Sequence, residues 1–191
     1  MTGGGPGAME AANLGAMLTG RGPVDQQRMD AAIAMLAEVP HFAPTSEGGH
    51  GITAWARAAF EVIERFGCRG ESVGIPTWFY GHEPPNAFAT HVAKYFSNAL
   101  REDMLLRHCR GGIIYLPGAA GTVQEIFQAA TGNFYTDPGV EPAPMVLLGH
   151  QHWTRTMPAW PLLESMGAGR PMGEKLALVD SVEQACAVLD P

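Results

Sequence analysis

Apolar residues recur at helical spacing in several stretches of the chain. Ala8 to Thr19 is rich in Ala, Met, Leu and Glu, all strong helix formers, and Gly20 and Gly22 close it, which predicts a helix. A second helix is expected from Asp25 to about Val39, with Met29, Ile33, Leu36 and Ala37 on its apolar face, ahead of Pro40 and Pro44. His41 to Gly51 reads as a loop. Thr53 to Phe66 restores helical spacing through Trp55, Ala59, Val62, Ile63 and Phe66, and Gly67 stops it. Ser72 to Pro76 reads as a short buried strand, and Tyr80 to Asn86 as a polar connection. A long helix then runs from Ala87 to about Cys109, with Val92, Tyr95, Phe96, Ala99 and Leu106 on one side.

Gly112 to Leu116 is the clearest strand, broken by Pro117-Gly118. A helix follows from Gly121, with Val123, Ile126, Phe127 and Ala130 at i, i+3, i+4 and i+7. Pro144 to Leu148 and Lys175 to Val179 are two further strands, separated by Trp153 to Met166, and Val182 to Leu189 closes the series as a helix. Short apolar strands alternating with helices define an α/β pattern, a parallel sheet with helices on both faces.

Composition narrows the function classes. With 191 residues, 46% of them hydrophobic and 16% charged, the chain suits one globular domain with a real core rather than a disordered tail. Its apolar runs are interrupted far short of the ~20 residues of a membrane-spanning helix, so a soluble protein is expected. Cys68, Cys109 and Cys186 are odd in number, widely spaced and without a Cys-x-x-Cys pair, which suggests neither a disulfide framework nor a zinc ribbon and favours a reducing cytoplasm. The net charge of −7 and the absence of a basic cluster argue against a nucleic-acid polymer as partner. A small phosphorylated ligand needs only a few local donors.

Two glycine-rich turns offer such donors. Gly3-Gly4-Gly5-Pro6-Gly7 stands directly before the first predicted helix, and Pro117-Gly118-Ala119-Ala120-Gly121-Thr122 lies between a strand and a helix. Free backbone N–H groups at a helix start, together with the helix dipole, favour an anion such as phosphate. The second turn is neither a Walker A loop nor a dinucleotide fingerprint, since Gly-Lys-Ser/Thr and Gly-x-Gly-x-x-Gly are missing from it. On local spacing, Thr122-x-x-Glu125 reads first as a capping box, with Thr122 capping the helix and Glu125 reaching back to it. Arg101, beside Glu102 and Asp103, reads locally as a solvated face residue.

Taken together, the stretches Thr2 to Ala12 and Pro117 to Glu125 resemble the paired signatures of the LOG family, also labelled lysine decarboxylase-like. That superfamily holds the cytokinin riboside 5'-monophosphate phosphoribohydrolases and the nucleotide 5'-monophosphate nucleosidases, and Glu83-Pro84-Pro85-Asn86 resembles its bacterial nucleosidase branch. The resemblance extends from Thr2 to about Leu148. It implies a Rossmann-like fold and hydrolysis of the N-glycosidic bond of a nucleoside 5'-monophosphate to free base and ribose 5-phosphate. Glu125 matches the motif's catalytic Glu; Arg101 matches the family's catalytic Arg if one extra residue is allowed in the Arg110-Gly111-Gly112 turn, with Arg107 as the fallback. The same resemblance implies substrate or phosphate contacts at Gly3, Gly4, Gly5, Gly7, Met9, Glu10, Gly118, Ala119, Ala120, Gly121 and Thr122, with Asn98 a further ligand candidate one turn from Arg101. No metal and no cofactor are implied, and a homodimer or higher homo-oligomer is. The second reading is a non-catalytic nucleotide-binding or sensory Rossmann protein.

The sequence departs from the family in three places. Ala119 replaces a motif Gly, which weakens phosphate binding if that position needs a positive φ or a very close approach. Residues 21–69 read as a helical insertion. The strand, helix and strand that precede the first loop in the family are missing, so the expected domain, residues 1–191, is N-terminally truncated. A decarboxylase would need a Schiff-base lysine, and Lys94 and Lys175, the only lysines, stand in no cofactor motif. His150-x-His152 lacks matched metal ligands and reads as surface loop. His41, His50, His82 and His91 fall in or beside glycine and proline turns, and Trp153 and Trp160 read as packing or subunit-contact anchors.

Overall fold

A computed structural model describes residues 1–20, 22–23, 25–43, 51–78 and 84–189. Arg21, His50, His82, most of the loop expected over 41–51 and the start of the Tyr80–Asn86 connection lie outside them. The chain forms two compact units, Met1–Arg101 and Glu102–Pro191.

In the first unit, α1 (Ala8–Thr19) has the predicted bounds. The second helix, α2 (Gln26–Ala37), starts where the Asp25 carboxylate accepts a hydrogen bond from the Arg28 N–H at 3.1 Å, satisfying one of the first-turn donors. Of its expected inward face, Met29 and Leu36 pack on the core, but Ile33 and Ala37 are exposed. Ala32 is fully buried, whereas Ile33 is 50% exposed. Helix α3 (Gly51–Phe66) buries Trp55, Ala59 and Val62, and Gly67 ends it at φ 65°. Leu14, Met17 and Leu18 of α1 pack with Ala32, Ala59, Val62 and Phe88 into one apolar core.

The excursion through α2 and α3 leaves and rejoins α1 at a single point. The Arg69 N–H donates to the Met17 carbonyl at 2.8 Å. A Cβ on Gly70 would lie 2.5 Å from Gly20 Cα and 2.3 Å from the Ala16 oxygen, so the two backbones touch there only because residue 70 has no side chain.

Strands β1 (Val73–Gly74) and β2 (His91–Val92) pair in parallel, Val73 opposite His91. The pairing continues to a Thr77–Tyr95 bridge, and Thr2 joins the other side of β1 opposite Gly74. The long helix expected over Ala87–Cys109 is therefore corrected: only its second half is helical, as α4 (Asn98–His108). Its supposed apolar face is overturned with it, because Val92 and Phe96 are exposed and Leu105, not Leu106, is buried on α4. Backbone pairing with β1 took the segment that side-chain spacing assigned to a helix. His91 accordingly stands in a strand rather than a turn, 3.6 Å from the Glu71 carboxylate.

The second unit carries β3 (Ile113–Tyr115), α5 (Ala120–Phe134), β4 (Met145–Leu148), α6 (Trp160–Gly167), β5 (Leu176–Val179) and α7 (Val182–Leu189). The strands are parallel in the order β3-β4-β5, with Tyr115 opposite Leu147 and Leu147 opposite Leu178. Met145, Val146 and Leu147 on the central strand are fully buried, as a strand covered on both faces requires. Around them pack Tyr115, Ile126, Ala130, Trp153, Leu163 and Met172. A π-helical turn, His152–Thr156, seats Trp153, whose indole N–H donates to the Leu148 carbonyl at 2.9 Å. This is a mixed α/β protein with small parallel sheets, the strands among the described residues being divided between two of them. No helix among the described residues is long and apolar enough to cross a membrane.

Candidate functional site

The first glycine loop leaves the sheet at Thr2, whose N–H donates to the Val73 carbonyl and whose carbonyl accepts from the Ile75 N–H, both at 2.9 Å. Gly4 then turns at φ 76°, where a Cβ would stand 2.9 Å from Pro76 Cδ and 3.2 Å from the Ile75 nitrogen. Both the left-handed backbone and the close approach require glycine. Gly7, at φ 70°, occupies the cap position of α1, and the Glu10 carboxylate three residues on accepts from its N–H. Burial pushes the Glu10 carboxyl above its ordinary range, against that hydrogen bond.

Beneath the loop is a buried polar network that sequence reasoning missed. The Thr2 hydroxyl donates to Asn13 Oδ1 at 2.7 Å and accepts from the Gly4 N–H at 3.0 Å. Asn13 Nδ2 donates to Ser72 Oγ at 2.9 Å. Asn86 Nδ2 donates to the Gly5 carbonyl at 2.9 Å and to Asn13 Oδ1 at 3.1 Å, and its backbone N–H reaches the Gly4 carbonyl at 2.8 Å. Asn13 sits on α1 among good helix formers, and an Asn inside a helix is the one readable signal of this role.

Arg101 is buried beside this loop. A Cβ on Gly3 would lie 3.1 Å from Arg101 Nη1 and 2.9 Å from Met9 Sδ, and Arg101 Nη2 donates to Asn98 Oδ1 at 2.7 Å. Gly3, Met9, Asn98 and Arg101 are thus brought together in the first unit. Arg101 at 6% exposure is no solvated face residue, whereas Arg107 is exposed and pairs with Asp103 at 2.9 Å.

The second turn lies in the second unit. Helix α5 begins at Ala120 with Ala119 in the cap position and no side-chain cap, so Thr122 falls inside the first turn and the Thr122–Glu125 capping box is not formed. Ala119 has φ −113°, outside the left-handed region that favours glycine, so this position does not need the positive φ of a glycine. Gly118 is needed for another reason: a Cβ there would stand 2.1 Å from Thr122 Oγ1. Ala119 and Ala120 are exposed, leaving the N–H groups of the helix start open to an anion. His152 Nε2 lies 2.9 Å from the Gly118 carbonyl, tying the turn to the π-helical segment.

Glu125 is half-buried on the second turn of α5. Its charge is felt by Tyr115, whose pKa is pushed up by burial and then by the Glu125 carboxylate, and to a lesser degree by Cys109, whose pKa is pushed up chiefly by burial. The Tyr115 hydroxyl is buried without a hydrogen-bond partner among the described residues. His150 and His152 do not converge, since His150 Nδ1 faces Asp180 at 3.3 Å. No group of His, Cys, Asp and Glu suited to a metal ion occurs among the described residues. An open cleft of about 750 Å³ lined by Trp160, Glu164, Arg170 and Glu174 contains none of the predicted site residues.

Fold and site together define a mixed α/β protein with two glycine-rich turns, each opening a helix after a strand position. No family model matches the chain, and no curated protein matches it.

Proposed function

We propose that the protein is a LOG-like phosphoribohydrolase with a Rossmann-like core, cleaving the N-glycosidic bond of a nucleoside 5'-monophosphate. The observation that carries this reading is the β3–turn–α5 segment, with an uncapped, exposed helix start and a carboxylate one turn further in. Each glycine turn is a cradle for a phosphate, where backbone N–H groups and the helix dipole offset its charge. In the reaction the C1'–N bond breaks, the base leaves with the electron pair and takes up a proton, and water adds to C1'. Glu125 stabilises the positive charge that develops on the ribose and orients that water. The Arg101 guanidinium grips phosphate or carboxylate through paired donors.

Purified protein incubated with AMP, GMP, CMP and UMP is expected to release free base and ribose 5-phosphate from at least one of them. Glu125→Gln is expected to lower the rate about a hundredfold or more, the scale of a positioned acid–base group. No release from any of the four nucleotides overturns the reading.

A further inference from the structure

Three chain segments run in the same direction through the first unit's sheet, in the order Thr2, β1, β2, and all leave it at the same edge. In parallel sheets this carboxyl edge is where ligands bind. Thr2 leads there into the Gly3–Gly7 loop, beside Arg101. The β1 ladder ends at Trp78, whose N–H donates to the Tyr95 carbonyl at 2.8 Å, and the β2 ladder runs directly into Phe96.

The two aromatic rings at this edge are stacked, 5.8 Å apart and inclined by 12°. Lys94 Nζ lies 3.8 Å from the centre of the Trp78 ring. Phe42–Trp55 and Phe134–Tyr135, by contrast, meet edge-on at 67° and 71°. The stacked pair is also open to solvent, Trp78 at 45% and Phe96 at 74% exposure. A near-parallel pair in water presents a flat ring face to a third planar ring, and the ammonium group adds a positive charge beside it.

We propose that Trp78 and Phe96 form a stacking platform for the base of a nucleotide whose phosphate lies toward Gly3–Gly7 and Arg101. This rests on the nucleotide reading of the site. Thr2 and Val92 flank Gly74 on either side of β1, and Phe96 lies four residues beyond Val92; Arg101, five residues after Phe96, reaches back to Gly3 with its guanidinium. Two rings offer far less than the about 800 Å² per partner of a stable protein interface, which favours a small planar ligand over a second copy of the chain.

The test measures nucleotide binding by calorimetry on the full chain carrying Glu125→Gln, which slows any consumption of nucleotide about a hundredfold. Phe96→Ser is expected to weaken AMP binding about tenfold, the scale of one base–aromatic stack, and to leave ribose 5-phosphate binding unchanged. Phe96→Tyr is expected to retain the affinity. Equal weakening of both ligands, an unchanged AMP affinity, no nucleotide binding at all, or a change in oligomeric state alone overturns the platform. Phe96-dependent binding by a wild-type chain that releases no base overturns the hydrolase reading and leaves the platform standing. Base release with an AMP affinity indifferent to Phe96→Ser does the reverse.

Discussion

Tyr115 places a phenol hydroxyl in the second unit's core with no partner among the described residues, close enough to Glu125 to feel its charge. A buried donor without an acceptor lowers stability, so Tyr115→Phe, which keeps the ring, is expected to raise the stability by about 1 kcal/mol in urea unfolding. A loss of similar size would show that the hydroxyl has found an acceptor. The same residue sets an alkaline limit. Its pKa is raised in the folded state, chiefly by burial and then by Glu125, so the folded state holds the proton more tightly than the unfolded one. The stability is full below the unfolded tyrosine pKa of about 10 and falls as pH rises beyond it, by up to about 1.4 kcal/mol per pH unit. In Tyr115→Phe that part of the slope is expected to vanish.

Among the elements, the stretch at α1 and the first loop shows what a linear sequence reveals. The bounds of α1 and α7 were legible because composition and flanking glycine or turn residues agree there. Asn13 was not legible as a site residue, because its partners Thr2, Ser72 and Asn86 meet only in the fold. The strand at His91–Val92 was hidden for the opposite reason: both its residues are exposed, so no inside–outside alternation marks it, and Val92, Tyr95 and Phe96 happen to match helical spacing. The second turn was placed correctly, but its capping box was not, since the helix starts two residues before Thr122. Asn13→Ala removes the group shared by Thr2, Ser72 and Asn86 and leaves their buried polar atoms short of partners. It is expected to cost about 3 kcal/mol in chemical denaturation. A change within about 0.5 kcal/mol would mean that the loop is held by its backbone bonds alone.

At the scale of the molecule, the two apolar cores have no residue in common. A cavity in one is therefore expected to loosen that unit first. Leu18→Ala should cost about 2–5 kcal/mol and, in hydrogen exchange, reduce protection across α1–α3 while β3–β5 keep theirs. Equal loss throughout would show the whole chain unfolding as one cooperative unit.

The contact of Gly20 with Gly70 closes the path from α1 through α2 and α3 at its base. A shortened chain could be spliced at that joint with the rest of its backbone left in place. The difficulty lies in what the helices cover: Leu14, Met17, Leu18 and Phe88 would be bared. A shorter version of this protein would have to carry polar side chains at those four positions, or borrow another helix pair to shield them.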